Sequence, residues 1–164
     1  GNRVNLWTPW LRGRAPADSN LISRKLEDAQ LVVVAAPVYL AHAGIPVVLE
    51  DLKNHDCIQF VLPSSGRNIA WLFKQNGKEV DVLTRGGYSC SEDLLGGVTL
   101  ARHGGGLFQT YRYFVEEDLK EGSLIELLAD FGGRTRPFTL LYPHGRHLTS
   151  RVRTFVDFLL ENRQ

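Results

Sequence analysis

Leu31-Val32-Val33-Val34-Ala35-Ala36 is an unbroken apolar run rich in β-branched residues. It predicts a strand buried on both faces, as in parallel sheets. Pro37 follows where the first turn of a helix tolerates it, and Val38 to Ala43 then predicts a short helix stopped by Gly44. A second short helix is expected over Leu49 to Lys53 and a strand over Cys57 to Leu62, closed by Pro63-Ser64-Ser65-Gly66. Ile69 to Gln75 and Lys78 to Leu83 flank Asn76-Gly77, a pair that accepts the positive φ of a tight turn, so a hairpin is expected. Trp71 and Phe73 share one face of it, and Val80 and Val82 share one face.

Further on, Tyr88-Ser89-Cys90 predicts a short strand, and Ser91 the N-cap of a helix reaching about Arg102, with Glu92 and Asp93 in its first turn. Leu107 to Gln109 is a strand, Arg112 to Lys120 a helix ended by Gly122, and Leu124 to Leu128 and Thr139 to Tyr142 strands. Val152, Phe155, Val156, Leu159 and Leu160 form a helical stripe behind Thr149 as cap. Strands and helices alternate, which is the α/β class. Residues 1–20 carry no convincing period and read as an irregular segment or linker.

The chain has 164 residues, about one domain by the prior of ~100–200 residues per domain. Hydrophobic residues make up 43% and charged residues 23%, which excludes a disordered or collagen-like chain. No run approaches the ~18 apolar residues of a membrane helix. A net charge of +1 gives no electrostatic case for nucleic-acid binding by these residues themselves. Cys57 and Cys90 are too few and too far apart for a metal ribbon or a disulfide scaffold, so reduced thiols in a cytoplasmic protein are expected. The chain starts with Gly1 and contains no Met, which reads as a piece of a longer protein or a processed one.

Candidate chemistry is sparse. Gly104-Gly105-Gly106 follows a helix instead of linking a strand to one, so it reads as a helix end and tight turn, not a phosphate loop. His103-Gly104-Gly105-Gly106 and Gly87-Tyr88-Ser89-Cys90-Ser91 resemble parts of a lipase site, with Ser89 as nucleophile. Ser91 replaces the elbow's final glycine, and the two elements stand in the wrong order, so the hydrolase reading is set aside. His144 and His147 lack further metal ligands nearby and read as loop histidines. The arginines Arg134, Arg136, Arg146, Arg151 and Arg153 read as a solvated face able to meet an anion or partner, and Glu116-Glu117-Asp118 as a solvated face.

Several segments together resemble one family. Leu21 to Leu26 followed by Val34-Ala35-Ala36-Pro37-Val38-Tyr39-Leu40 is similar to the "LIARxL … ASPAYL" stretch of LysR-type transcriptional regulators. Glu50-Asp51-Leu52 with His55-Asp56-Cys57-Ile58 resembles their "EDL..HDCI", and the hairpin from Trp71 to Val82 their "WxFxxDGxxxxV". Val115 to Leu128 resembles "VxDDLxxGxLVxLL", and Arg146 to Leu159 the terminal "RxLSPRVRAFIDFL". Order and spacing across 21–161 make the match specific.

The resemblance implies an effector-binding domain with a type 2 periplasmic-binding-protein-like fold, in which two Rossmann-like subdomains meet at a cleft. Residues 21–161 would form it, about 32–131 as the second subdomain and 132–161 returning to a first subdomain that is incomplete here. It implies a small-molecule effector and a homodimer or tetramer. DNA would be contacted only through an upstream winged helix-turn-helix, with no membrane partner, no cofactor, no metal and no catalysis. The expected effector-binding residues are Ala36 and Pro37, Ser91, Glu92 and Asp93, and Phe108. Ser91 and the amides behind it could hold an anionic group, against the charge of Glu92 and Asp93. A transport solute-binding protein of the same fold is the alternative.

Overall fold

The structure is a computed structural model that describes residues 21–26, 29–62, 65–91, 93–143 and 153–156. The irregular segment 1–20, the loop histidines His144 and His147, and the arginines Arg146 and Arg151 lie outside the described residues.

The apolar run is strand β2 (Leu31–Ala35), buried along its whole length. It follows β1 (Leu21–Leu26) and leads into helix α1 (Pro37–Ala43), which Gly44 ends at a φ of 83°. Leu49–Asn54 forms a 3₁₀ turn instead of an α-helix, and the Asp51 carboxylate fixes its start by accepting from the N–H groups of Val47 (2.8 Å) and Val48 (3.1 Å). Next come β3 (Gln59–Phe60), the hairpin β4 (Trp71–Gln75) and β5 (Lys78–Val82), and β6 (Ser89–Cys90). Helix α2 (Leu94–Arg102), β7 (Phe108–Tyr111), helix α3 (Arg112–Glu121) and β8 (Ile125–Leu127) complete the middle of the chain. Strands β9 (Phe138–Pro143) and β10 (Arg153–Val156) close the described order.

β2 lies between β7 and β8, antiparallel to both. The expected burial on both faces is present, but the parallel neighbours are not. Burial follows from the layers that cover a strand, not from its direction. β3 and β6 are parallel, and a parallel bridge from Cys57 to Leu107 joins them to β7, giving the order β6-β3-β7-β2-β8.

Alternation along β2 feeds two cores. Val32, Val34 and Ala36 pack with Ile58, Phe108 and residues of α2 and α3 such as Val98 and Val115. Val33 and Ala35 pack on the other face with Leu40, Leu52 and the hairpin residues Trp71 and Phe73. The sheet is thus the middle of three layers.

Two ion pairs lock the layers, and both revise the solvated-face readings. Asp118 accepts from Arg102 at 2.6 and 2.9 Å and from the Ser123 hydroxyl at 2.8 Å, tying α3 to α2. Arg134 reaches back over the hairpin, donating to Phe73 O at 3.0 Å and to Asp81 Oδ1 at 2.9 Å, and Arg136 is buried. In both cases a charged side chain is drawn inward because a partner on a neighbouring element satisfies it.

The segment 134–136 runs antiparallel beside 29–31, through Leu31 N–H to Arg134 O and Arg136 N–H to Ala29 O. Beyond it, β9 pairs with β1 on one side and β10 on the other. The expected terminal helix is therefore not present at Arg153–Val156, where a strand stands in register with Phe138–Leu141. Thr154, Phe155 and Val156 are good strand formers, and the edge of β9 offers backbone partners that an isolated amphipathic stripe lacks.

Candidate functional site

Strand direction decides which residues can share a site. β3, β6 and β7 all point one way and β2 the other. Leu62, Ser91, Tyr111 and the start of β2 therefore gather at one end of the sheet. Asp56, Gly86, Gly106 and Ala36 gather at the other. The ends are about five residue steps apart, roughly 16 Å at strand rise.

At the carboxyl end of the parallel set, Thr110 is buried, and its hydroxyl has no hydrogen-bond partner among the described residues. It lines a small cavity of about 30 Å³ together with Phe60, Trp71, Leu94 and Arg136. The cavity wall is held by Gln109, whose Nε2 donates to Leu72 O and whose Oε1 accepts from Leu72 N–H, both at 2.9 Å. Beside it, β6 passes into the turn that starts α2. Asp93, not Ser91, is the N-cap, with Oδ1 accepting from Leu95 N–H at 3.1 Å. Asp is an equally strong cap, and its carboxylate sits at the positive end of the helix. Ser91 is half-buried just before the cap, Asp93 is exposed, and Glu92 lies outside the described residues. The anion cradle expected from Ser91 and the helix amides is thus filled by the protein's own carboxylate.

At the opposite end, α1, the close of the 3₁₀ turn, the loop at 85–87 and the end of α2 surround a cleft of about 910 Å³. Two glycines pack closely at this end of the sheet, and Gly86 lines the cleft. A Cβ on Gly86 would stand 2.2 Å from Cys57 O, and one on Gly106, which has a φ of 136°, 2.3 Å from Asp56 O. The Tyr39 hydroxyl accepts from Asp56 N–H at 3.0 Å and shares a hydrogen bond with His55 Nδ1 at 2.9 Å. Burial raises the Tyr39 hydroxyl above its ordinary pKa. Lys53, Arg85, His42 and His103 line the walls.

The expected site residues do not form one cluster. Ala36 is buried at the foot of α1, where its carbonyl accepts from Tyr39 and Leu40 N–H, and Pro37 is exposed beside it. Both belong to the end with the large cleft. Ser91 and Asp93 belong to the other. Phe108 lies between, fully buried, and a Cβ on Gly97 would meet its ring at 2.4 Å, so it packs under α2 and lines neither cavity. The sequence marks Thr110 only as a polar residue in an apolar strand. The Lys53-Asn54-His55-Asp56 run and the Gly86-Gly87 pair are the signals for the second end.

Both thiols are held in the protonated form at neutral pH. Burial first, then the charge of Asp56, pushes Cys57 up to about 12, and burial followed by the charge of Asp93 does the same to Cys90. His103 spends Nδ1 on Thr99 O at 2.9 Å. That hydrogen bond lies within its own helix end and not on Ser89.

The LysR substrate binding domain family matches residues 10–164. The chain belongs to that family. Among relatives of this LysR substrate-binding domain, the HTH-type transcriptional regulator CrgA of Neisseria meningitidis serogroup B is 35% identical over 152 residues, covering 92% of this chain and 50% of that protein. The HTH-type transcriptional regulator PgrR of Escherichia coli K12 is 31% identical over 144 residues, covering 87% and 48%. The chain spans about half the length of these curated relatives. Among solved structures, the regulatory domain of CrgA aligns with a TM-score of 0.60 at 30% identity, covering 79% of this chain and 62% of that one. The regulatory domain of AphB from Vibrio vulnificus aligns with a TM-score of 0.59 at 26% identity, covering 79% and 63%. Such regulatory domains have the periplasmic-binding-protein-like fold, and this LysR substrate-binding domain shares it.

Proposed function

We propose that this chain is the effector-binding part of a LysR-type transcriptional regulator. A small molecule binds at the carboxyl end of β3, β6 and β7, and its binding changes DNA binding or transcription through a homodimer or tetramer. The observation that carries the binding site is the buried hydroxyl of Thr110 at the end of the parallel strands, which has no hydrogen-bond partner among the described residues. Ligands of α/β sheets bind outside the carboxyl ends of strands, and a buried polar group left without a partner costs about 1–3 kcal/mol. A ligand that hydrogen-bonds Thr110 would recover that cost. Ser91 and Asp93 stand at the same end, and with Glu92 between them they are the proposed rim. The carboxylate of Asp93 favours a neutral or amine-bearing effector over an anion there.

The division of the chain supports this reading. Residues 32–131 hold the five-strand sheet and both its covering layers. The crossing at 134–136 leads to β9, as a return into a first subdomain requires. DNA contact then falls to a winged helix-turn-helix upstream, and the protein works in the cytoplasm, where its DNA lies. The relatives are transcriptional regulators, and no observation favours the transport alternative.

The test uses the full gene product and a reporter on a promoter it controls. Thr110→Val is close to isosteric and removes only the hydroxyl. It is expected to keep the fold and DNA binding while the response to the inducing molecule falls about tenfold or more. Ser91→Tyr should block the same response by filling the rim. Pro37→Ala, at the other end of the sheet, should leave it intact. A full response in both Thr110→Val and Ser91→Tyr would overturn the site, and a wild-type protein that changes no promoter would overturn the function.

A further inference from the structure

We infer that the large cleft at the opposite end of the sheet is a second small-molecule site, and that it takes an organic anion bearing carboxylate or phosphate groups. The inference stands on the cleft alone and does not rest on the regulator reading. Its volume of about 910 Å³ lies within the ~300–1,000 Å³ of small-molecule sites.

Its lining carries more cationic than anionic side chains. Lys53 and Arg85 project into it from two different segments, the end of the 3₁₀ turn and the loop after β5, and among the described residues neither is in an ion pair. Elsewhere in the molecule arginines are spent on structure, as Arg102, Arg112 and Arg134 are on Asp118, Glu126 and Asp81. The one carboxylate lining the cleft is that of Asp56. Two cations from separate segments that line one cleft, with no ion-pair partner among the described residues, match an anion that has more than one charged oxygen.

Two histidines complete the walls. His42 and His103 each direct Nδ1 to the carbonyl four residues back, Val38 O and Thr99 O, both at 2.9 Å. A carbonyl can only accept, so Nδ1 carries the proton and Nε2 is left over on the cleft wall. The end of α2 would oppose an anion if its carbonyls were bare, but Thr99, Leu100 and Ala101 O accept from His103, Gly105 and Gly104 N–H. Part of the floor is held in place, because Gly86 approaches the Cys57 backbone more closely than any side chain would allow. The cleft is therefore formed before a ligand arrives, which lowers the cost of binding. Val38 supplies an apolar wall for the body of the ligand.

The probes are citrate and pyrophosphate, titrated into the full chain at constant ionic strength and followed by backbone amide chemical shifts. At least one is expected to give saturable shifts at Asn54 to Asp56, Gly86-Gly87 and His103-Gly104, with sodium chloride giving none. The Lys53→Gln/Arg85→Gln double variant changes two exposed side chains and is expected to keep the unfolding midpoint while weakening the probe by about tenfold or more. Lys53→Arg should retain binding and Ser91→Ala, about five strand residues away, should leave it unchanged. Absence of saturation with both probes, shifts that persist in the double variant, or shifts centred on Ser91 to Leu94 would each overturn the assignment.

Discussion

Gly97 lets α2 lie close on the ring of Phe108 in the sheet. Nothing larger than hydrogen fits at residue 97, because a Cβ would lie 2.4 Å from the Phe108 ring and 3.1 Å from Cys90 Sγ. Gly97→Val is expected to lower stability by about 1–3 kcal/mol through overpacking, read as a shift in the urea midpoint. An unchanged midpoint would mean that the helix does not sit on Phe108. This pairing also explains why Phe108, an expected site residue in the sequence, packs under α2 and lines neither cavity. Its position after a glycine-rich turn is legible, but the inward direction of its ring is set by a glycine eleven positions earlier in another element. The thiols give a second test at this scale. With both held near 12, the thiolate fraction at pH 8 is about 10⁻⁴. Ellman's reagent is expected to leave Cys57 and Cys90 unmodified in the native protein and to label both after denaturation, whereas rapid native labelling would contradict their burial.

Elements with a strong local signal were legible. The Asn76-Gly77 turn, with Asn76 at a φ of 54° and Gly77 at 77°, joins β4 and β5 as their alternation requires. β2, α1 and the Gly122 stop of α3 follow from runs and breakers in the same way. Features that depend on a distant partner were not legible. Ser91 and Asp93 both satisfy capping rules, and only the backbone path out of β6 selects Asp93. The apolar stripe near the C-terminus fits a helix, yet Arg153–Val156 pairs with β9, which the sequence around it does not announce. Asp118 looks like one acid in a solvated run until Arg102 is placed opposite it. The Arg102 hydrogen bonds, with a smaller contribution from Ser123, hold the Asp118 carboxyl below its usual range. A lowered folded-state value means that the unfolded chain binds more protons. The contribution is therefore full above the ordinary carboxylate pKa, ~4, and is lost as pH falls through the lowered one. Because 42% of the Arg102 side chain is exposed, Asp118→Asn is expected to cost about 1–2 kcal/mol at pH 7, less than a fully buried pair would. The difference from wild type should shrink below pH 4. A constant difference across that range would assign the loss to packing instead of charge.

At the scale of the whole molecule, the α/β class was readable from alternation, and the family from the order of many weak motifs. The sheet order was not, because β2 reverses direction between β7 and β8 and nothing in its composition says so. That reversal places Ala36 and Pro37 at the opposite end of the sheet from Ser91. One end carries a buried hydroxyl beside an acidic helix cap, and the other carries Lys53 and Arg85, in no ion pair among the described residues, around an open cleft. Both make sense in a regulator that senses small molecules, and the relatives, about twice the length of this chain, are HTH-type regulators. The most direct measurement is the sequence of the coding region upstream of Gly1. A winged helix-turn-helix is expected within ~100–200 codons, about one domain's length. A secretion signal there, leading straight into this fold, would contradict the regulator and make the protein a transport receptor.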